Sequence, residues 1–185
     1  MSLRVSGGRR LLSPPGLRAR PTPSRVRLAV MNLLATRLAG CSWLDLFSGS
    51  GAMACEALLH GAARVVAVER DRRHAAVVRS NLEAVASGLA QPELRVHCGD
   101  VLGWLRAGWE ARGEQPFELI YADPPYSAGL LEPVAELVAR ERWLSSKGLM
   151  LLECRSETSF RAPEGWSLVD RRRYGSSSVL RLTQS

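Results

Sequence analysis

The sequence predicts an α/β protein: a doubly wound, mostly parallel sheet with helices on both faces and an antiparallel strand pair at its C-terminal end. Three observations lead there. Residues 43–69 (WLDLFSGSGAMACEALLHGAARVVAVE) read as strand, glycine turn, helix, strand, and two parallel strands need such a crossover helix between them. Downstream, short apolar runs alternate with amphipathic helical stretches, the pattern of a parallel sheet covered by helices. The last two runs, 168–174 and 179–182, flank Gly175-Ser176-Ser177 and read as an antiparallel pair.

Taken in order, residues 3–5 and 10–12 flank Gly7-Gly8 and are expected to pair as a hairpin. Pro14-Pro15-Gly16 is loop. Thr22 or Ser24 can cap a helix with Pro23 in its first turn, and Val26, Val30, Leu33, Leu34 and Leu38 recur at helical spacing. An amphipathic helix over 24–39, stopped by Gly40, follows. Leu44, Leu46 and Phe47 belong to an apolar run, the mark of a strand buried on both faces. After Ser48-Gly49-Ser50-Gly51, residues 52–60 form a helix ended by Gly61, and 65–68 a second strand. A helix over 71–87 carries Ala75, Val78, Leu82 and Val85 on one side. Residues 94–98 are a third strand, followed by Gly99-Asp100, a helix over 101–107 and a polar loop over 108–116. Residues 117–122 are a fourth strand ending in Asp123-Pro124-Pro125-Tyr126. A helix over 129–142, a fifth strand over 148–154 and a loop over 156–166 complete the pattern.

A chain of 185 residues suits one domain with a sizeable core, here a basic arm and amphipathic helix over 1–40 followed by a ligand-binding domain over 41–185. Its 46% hydrophobic and 23% charged content is ordinary for a globular protein. No apolar run has the length of a membrane span, and the N-terminus lacks the apolar stretch of a signal peptide. Cys41, Cys55, Cys98 and Cys154 show no close pairing and sit in or beside apolar segments, so buried reduced thiols are expected rather than disulfides or a metal site. A soluble, cytoplasmic, metal-free monomer follows as the expectation. No role is assigned to His60, His74 or His97.

Charge narrows the partner. The net charge is +7, and residues 1–44 hold eight arginines and no Asp or Glu, leaving 17 basic against 18 acidic residues beyond. A basic arm on a near-neutral body suits phosphate backbones, which Arg grips well.

The motifs name the chemistry. The glycines of Ser48-Gly49-Ser50-Gly51 let the backbone turn tightly and approach a ligand, and the following helix offers its unpaired N–H groups. Glu69 ends the second strand twenty residues after Gly49, a spacing at which an acid can accept hydrogen bonds from ribose hydroxyls. The Gly-x-Gly-x-x-Ala pattern alone also fits a nicotinamide-dependent dehydrogenase. Asp-Pro-Pro-Tyr separates the two. Each proline fixes its own φ and forces the preceding residue out of the helical region, so Asp123 and Pro124 are held extended. The Asp123 carboxylate and the Pro124 carbonyl are two acceptors on a stiff frame, and Tyr126 adds a flat aromatic face. Two acceptors and a stacking ring fit a planar base bearing an amino group and suit hydride transfer poorly. In methyl transfer from a sulfonium donor, positive charge moves onto the attacking nitrogen, where fixed acceptors stabilise it and hold it in line. Ser48 to Gly51, Glu69, Asp100 and Asp123 to Tyr126 all fall at carboxyl ends of strands, where doubly wound sheets bind ligands. A DNA adenine-N6 or cytosine-N4 methyltransferase is an alternative, although the chain has no room for a target-recognition domain. A non-catalytic RNA-binding protein is another.

Asp45-Leu46-Phe47-Ser48-Gly49-Ser50-Gly51 resembles the donor motif of class I S-adenosylmethionine methyltransferases, and Asp-Pro-Pro-Tyr the catalytic motif of those acting on exocyclic amino groups. With Arg20-Pro21-Thr22, Val26-Arg27, Gly7-Gly8-Arg9, Glu56-Ala57-Leu58, Gly61-Ala62 and Tyr174-Gly175, the chain resembles the bacterial 16S ribosomal RNA (guanine-N2)-methyltransferase family, RsmD. Leu28 and Met31 stand where that family usually has Glu and Phe. The resemblance implies a Rossmann-like methyltransferase domain over 41–185 with S-adenosyl-L-methionine as cofactor, and 16S ribosomal RNA or the small ribosomal subunit as partner. It implies a cofactor site of Asp45, Phe47, Ser48, Gly49, Ser50, Gly51, Glu69, Arg70, Asp100, Val101 and Asp123, with Asp45 and the glycines at the methionine end and Asp100 at the adenine amino group. Asp123, Pro124, Pro125 and Tyr126 would orient the target guanine. Arg9, Arg10, Arg18, Arg20, Thr22 and Arg25 would meet RNA.

Overall fold

Val65, Val66, Ala67 and Val68 carry no polar side chain, and all four are buried without a gap. Such a strand needs cover on both faces, which only an internal position in a helix-covered sheet supplies. The computed structural model of the chain describes residues 3–16, 24–126 and 129–185 and places this run in a seven-stranded, mostly parallel sheet of the Rossmann-like α/β class. The chain divides into two units, Met1–Gly99 and Asp100–Ser185.

The first unit holds strands β1 (Ser42–Leu46), β2 (Arg64–Glu69) and β3 (Glu93–Cys98), all parallel, with β2 in the middle. Helices α2 (Ala52–Leu59) and α3 (Arg72–Ala86) make the two crossovers. α2 is built of small and apolar residues apart from Glu56 and is buried from Ala52 through Leu58. α3 is amphipathic, with Ala75, Val78, Leu82 and Val85 inward, and Asp71 caps it by accepting from the Arg73 and His74 N–H groups. β3 is an edge strand. Its exposed Glu93 and Arg95 pair at 2.8 Å, charges that discourage pairing with another chain.

Ahead of this sheet, helix α1 (Ser24–Leu33) ends six residues short of the predicted 39. The Leu34 N–H is shared between the Val30 and Met31 carbonyls, and beyond it the hydrogen bonds run to the third residue back, as from the Arg37 N–H to the Leu34 carbonyl at 2.7 Å, so the chain tightens into turns. Leu34 and Leu38 remain buried, so the apolar period outlasts the helix that it predicted. The expected hairpin is one antiparallel bridge, Arg4 with Arg10, around the 3-10 turn Ser6–Gly8. The predicted cap at Thr22 and Pro23 lies outside the described residues.

The second unit holds β4 (Phe117–Ala122) and β5 (Leu144–Arg155) in parallel, then β7 (Ser177–Gln184) antiparallel to β5, then β6 (Trp166–Tyr174) antiparallel to β7. Its helices are α4 (Val101–Arg106), α5 (Gly108–Ala111) and α6 (Leu131–Arg140). Trp143 anchors the core: it stacks on Trp104 at 4.2 Å and Phe117 at 6.4 Å, and its indole N–H donates to the Leu105 carbonyl at 2.9 Å. Part of the predicted polar loop over 108–116 is helical, as α5. β5 begins four residues earlier than predicted, because it pairs with β4 through an irregularity between the Phe117–Leu144 and Leu119–Leu149 pairs. A Cβ at Gly148 would overlap the Leu144 side chain, which accounts for glycine there.

Two further expectations are corrected. Phe47 is not in the strand: β1 stops at Leu46, and Phe47 takes a left-handed φ of 62° to start the glycine turn. Cys41, Cys55 and Cys154 are buried free thiols as predicted, whereas Cys98 is exposed, because β3 is an edge strand. Among the described residues no helix is long and apolar enough to cross a membrane, and no cluster of three or more potential metal ligands is present.

Candidate active site

At the carboxyl end of β1 the chain reverses through Phe47, Gly49 and Gly51, all at positive φ. Gly51 answers two demands. Its φ of 75° is left-handed, and a Cβ there would stand 3.1 Å from Val78 Cγ1 of α3. The turn is held by two carboxylates. Asp45, buried, accepts from Ser48 Oγ (2.9 Å) and from the Ala54 N–H (3.2 Å), one of the first-turn donors of α2 that has no partner within the helix. Burial pushes its pKa up to about 7 against the pull of those two hydrogen bonds, with the Glu69 charge adding to the rise. Glu69 accepts from the Gly49 N–H at Oε2 (2.8 Å) and from the Asp71 N–H at Oε1 (2.9 Å). It therefore ties the glycine turn to the start of α3. A carboxylate offers about four acceptor positions. Two are used here, by the Gly49 and Asp71 N–H groups.

The other residues assigned to the cofactor fall in both units. Ser50 lies in the turn, with its carbonyl accepting from Asn81 Nδ2 (2.9 Å). Arg70 is exposed directly after Glu69, and its carbonyl faces Cys98 Sγ at 3.7 Å. In the second unit Asp100 is exposed and caps α4 through the Gly103 N–H (2.9 Å), with Val101 buried as the first residue of that helix.

The Asp-Pro-Pro-Tyr segment follows β4 without a break. Pro124 is buried, Asp123 half-buried and Pro125 exposed, and Tyr126 is 48% exposed. The Tyr126 hydroxyl lies 3.4 Å from Ser177 Oγ, and the Arg155 guanidinium stands 5.3 Å from its ring centre. Burial of the phenol raises its pKa, with the Asp123 charge adding, so the hydroxyl stays protonated at neutral pH. Beside it, Pro124, Pro125, Tyr126, Glu153, Cys154 and Thr158 line a recess of about 200 Å³. Glu153 is buried and accepts from the Tyr121 hydroxyl, and its pKa is raised by that burial. The arrangement presents a flat, half-open aromatic face beside that recess, which suits a planar heterocycle.

Sequence reasoning missed Asn81, Glu153, Ser177 and Arg155. Two of them left a signal. Asn81 interrupts the buried face of α3, and Glu153 is a lone acid inside GLMLLEC. The basic arm is also more committed than its charge implied. Arg27 is buried against Glu56 (3.5 Å) and donates to the Arg4 carbonyl (2.5 Å), and the Arg9 guanidinium donates to the Val85 carbonyl (3.1 Å). Arg9, Arg10 and Arg25 are exposed, whereas Arg18, Arg20 and Thr22 lie outside the described residues.

The family model described as Conserved hypothetical protein 95 matches residues 4–183. Ribosomal RNA small subunit methyltransferase D of Escherichia coli (strain K12) is 33% identical over 162 residues, 87% of this chain and 77% of that protein. The solved structure of yhhF from Escherichia coli matches with a TM-score of 0.82 at 30% identity, covering 100% of this chain and 99% of that one. A structure with S-adenosylhomocysteine bound shares the fold at 18% identity, with a TM-score of 0.64 over 86% of this chain and 48% of that one. The chain belongs to the Conserved hypothetical protein 95 family, the family of the ribosomal RNA small subunit methyltransferase D proteins, and has its Rossmann-like fold.

Proposed function

We propose that this chain transfers the methyl group of S-adenosylmethionine to the exocyclic N2 amino group of a guanine in 16S ribosomal RNA, in the cytoplasm, with the naked RNA or the small ribosomal subunit as substrate. The observation that carries the reading is the double-proline segment directly after β4, ending in a half-exposed tyrosine ring beside a base-sized recess.

The donor fits the first unit's residues. The turn from Phe47 to Gly51 keeps side chains out of the backbone's way, and Glu69 keeps two acceptor positions for ribose hydroxyls. Asp100 takes the adenine amino group with the carboxylate positions that its cap leaves over. S-adenosylmethionine supplies an electrophilic methyl group on a sulfonium sulfur. Tyr126 stacks on the guanine, and the Asp123 carboxylate and Pro124 carbonyl accept from the N2 amino group, stabilising the positive charge that develops there. The prolines keep those acceptors from following the solvent, so orientation is set before the reaction. No strong base is required, since the methylated nitrogen is acidic enough to lose its proton. Arg9, Arg10 and Arg25 of the arm meet phosphates, with Arg18, Arg20 and Thr22 assigned to the same task.

The test offers tritiated S-adenosylmethionine with small ribosomal subunits from cells lacking the protein, and separately with duplex DNA. The expected product is N2-methylguanosine from the subunits alone. Label in DNA, or in any other ribonucleoside, would overturn the assignment. RNA binding should fall steeply with salt, and neutralising Arg9 and Arg10 should reduce the slope by about one per lost phosphate contact.

A further inference from the structure

The glycine turn and the N-terminal arm are joined by one side chain. Asn81, 2% exposed on α3, donates from Nδ2 to the Ser50 carbonyl (2.9 Å) and to the Leu12 carbonyl (3.0 Å), and its Oδ1 accepts from the Leu12 N–H (2.8 Å). A single amide thus serves Leu12 as a strand partner would, and also fixes the carbonyl between the two glycines. Seven residues earlier, on the same helical face, His74 repeats the connection. Its Nε2 is 3.3 Å from the Pro15 carbonyl, and its Nδ1 is 3.9 Å from Glu69 Oε1. Between them Val78 packs against Gly51.

Asparagine is a poor helix former and rarely so buried. A role in docking the arm alone accounts for its two bonds to Leu12. It does not account for the third bond, to the turn that the donor reading needs, nor for a second link from the same helix face to Glu69. We infer that Asn81 is a positioning residue that couples the arm to the donor site: donor binding steadies the turn and with it the docked arm, and RNA engaged by the arm tightens the donor by the same factor. Reciprocity follows from linkage, since a ligand that favours the docked arm must bind better when the arm is docked. The inference rests on the donor reading above.

Hydrogen–deuterium exchange of the full chain, with and without saturating S-adenosylhomocysteine, tests it. In the unaltered protein the Leu12 amide should slow at least about fivefold on addition, the lower end of ordinary coupling. In Asn81→Ala the Gly49 amide should still slow, the Leu12 amide should not, and the affinity for S-adenosylhomocysteine should fall by at least the same factor. Asn81→Asp keeps the acceptor for the Leu12 N–H and loses the donor to both the Ser50 and the Leu12 carbonyls. The Leu12 amide should then exchange somewhat faster without ligand and show no slowing on addition of S-adenosylhomocysteine, and loss of the response is what a purely structural role would not predict. Protection at Gly49 with an unchanged Leu12 amide in the unaltered protein would overturn the coupling and leave the donor reading standing. No calorimetric binding of S-adenosylhomocysteine at all would overturn both. Because the decisive measurement needs no variant, a misfolded Asn81→Ala cannot conceal the answer.

Discussion

The turn from Asp45 to Asp71 and the segment from Asp123 to Tyr126 are built on opposite terms. In the first, the acids are already engaged: Asp45 holds Ser48 and Ala54, and Glu69 holds Gly49 and Asp71. The polar side chains there maintain the backbone shape. In the second, stiffness comes from two prolines, which need no partners, and Tyr126 keeps nearly half of its surface open. Changes in the first region should therefore register as stability, and changes in the second as turnover.

The largest effect is expected at Glu56, which receives the Ser6 N–H and pairs with buried Arg27 behind the turn. Glu56→Ala strands a buried guanidinium and should destabilise the fold by about 3–5 kcal/mol in urea unfolding; a loss below about 1 kcal/mol would show that Arg27 finds another partner. Next comes Asp123→Ala. Removing one fixed group at the reacting nitrogen should lower kcat by about 10²–10³-fold, with the S-adenosylhomocysteine affinity and the melting temperature nearly unchanged. Loss of stability without loss of turnover would reverse the comparison. Tyr126→Ala should cost about 1–3 kcal/mol in kcat/KM through lost base stacking, and Tyr126→Phe much less. Equal losses in the two variants would move the role from the ring to the hydroxyl and its Ser177 neighbour.

The most selective test concerns Asp45. Its folded pKa of about 7 lies above the ordinary 3.8, so the folded state holds a proton that the unfolded state has released. Its contribution is fully present below about pH 4 and is lost as the pH rises towards 7, at up to about 1.4 kcal/mol per pH unit. Asp45→Asn should flatten stability across that window. Parallel pH profiles for the two proteins would mean that Ser48 and Ala54 keep the carboxylate ionised throughout.

What could be read along the chain was local. The strand–turn–helix–strand of 43–69, Glu69 at the end of β2 and the stiff double proline all arise from neighbours a few residues apart, whose φ limits and apolar spacing act before any long-range contact forms. Where local rules misjudged, packing intervened: α1 gave way to tight turns while Leu34 and Leu38 stayed buried, and Phe47 left its strand to begin the turn.

The amino-acid sequence by itself determined the α/β class, the glycine turn with its acid, and the double proline that follows β4. Tertiary structure alone decided which polar groups would meet: Arg27 with Glu56, Asn81 with Leu12 and Ser50, Tyr126 with Ser177. These partners stand 29 to 69 residues apart. No periodicity reaches that far, and only the packing of elements distant along the chain brings such groups within hydrogen-bond distance.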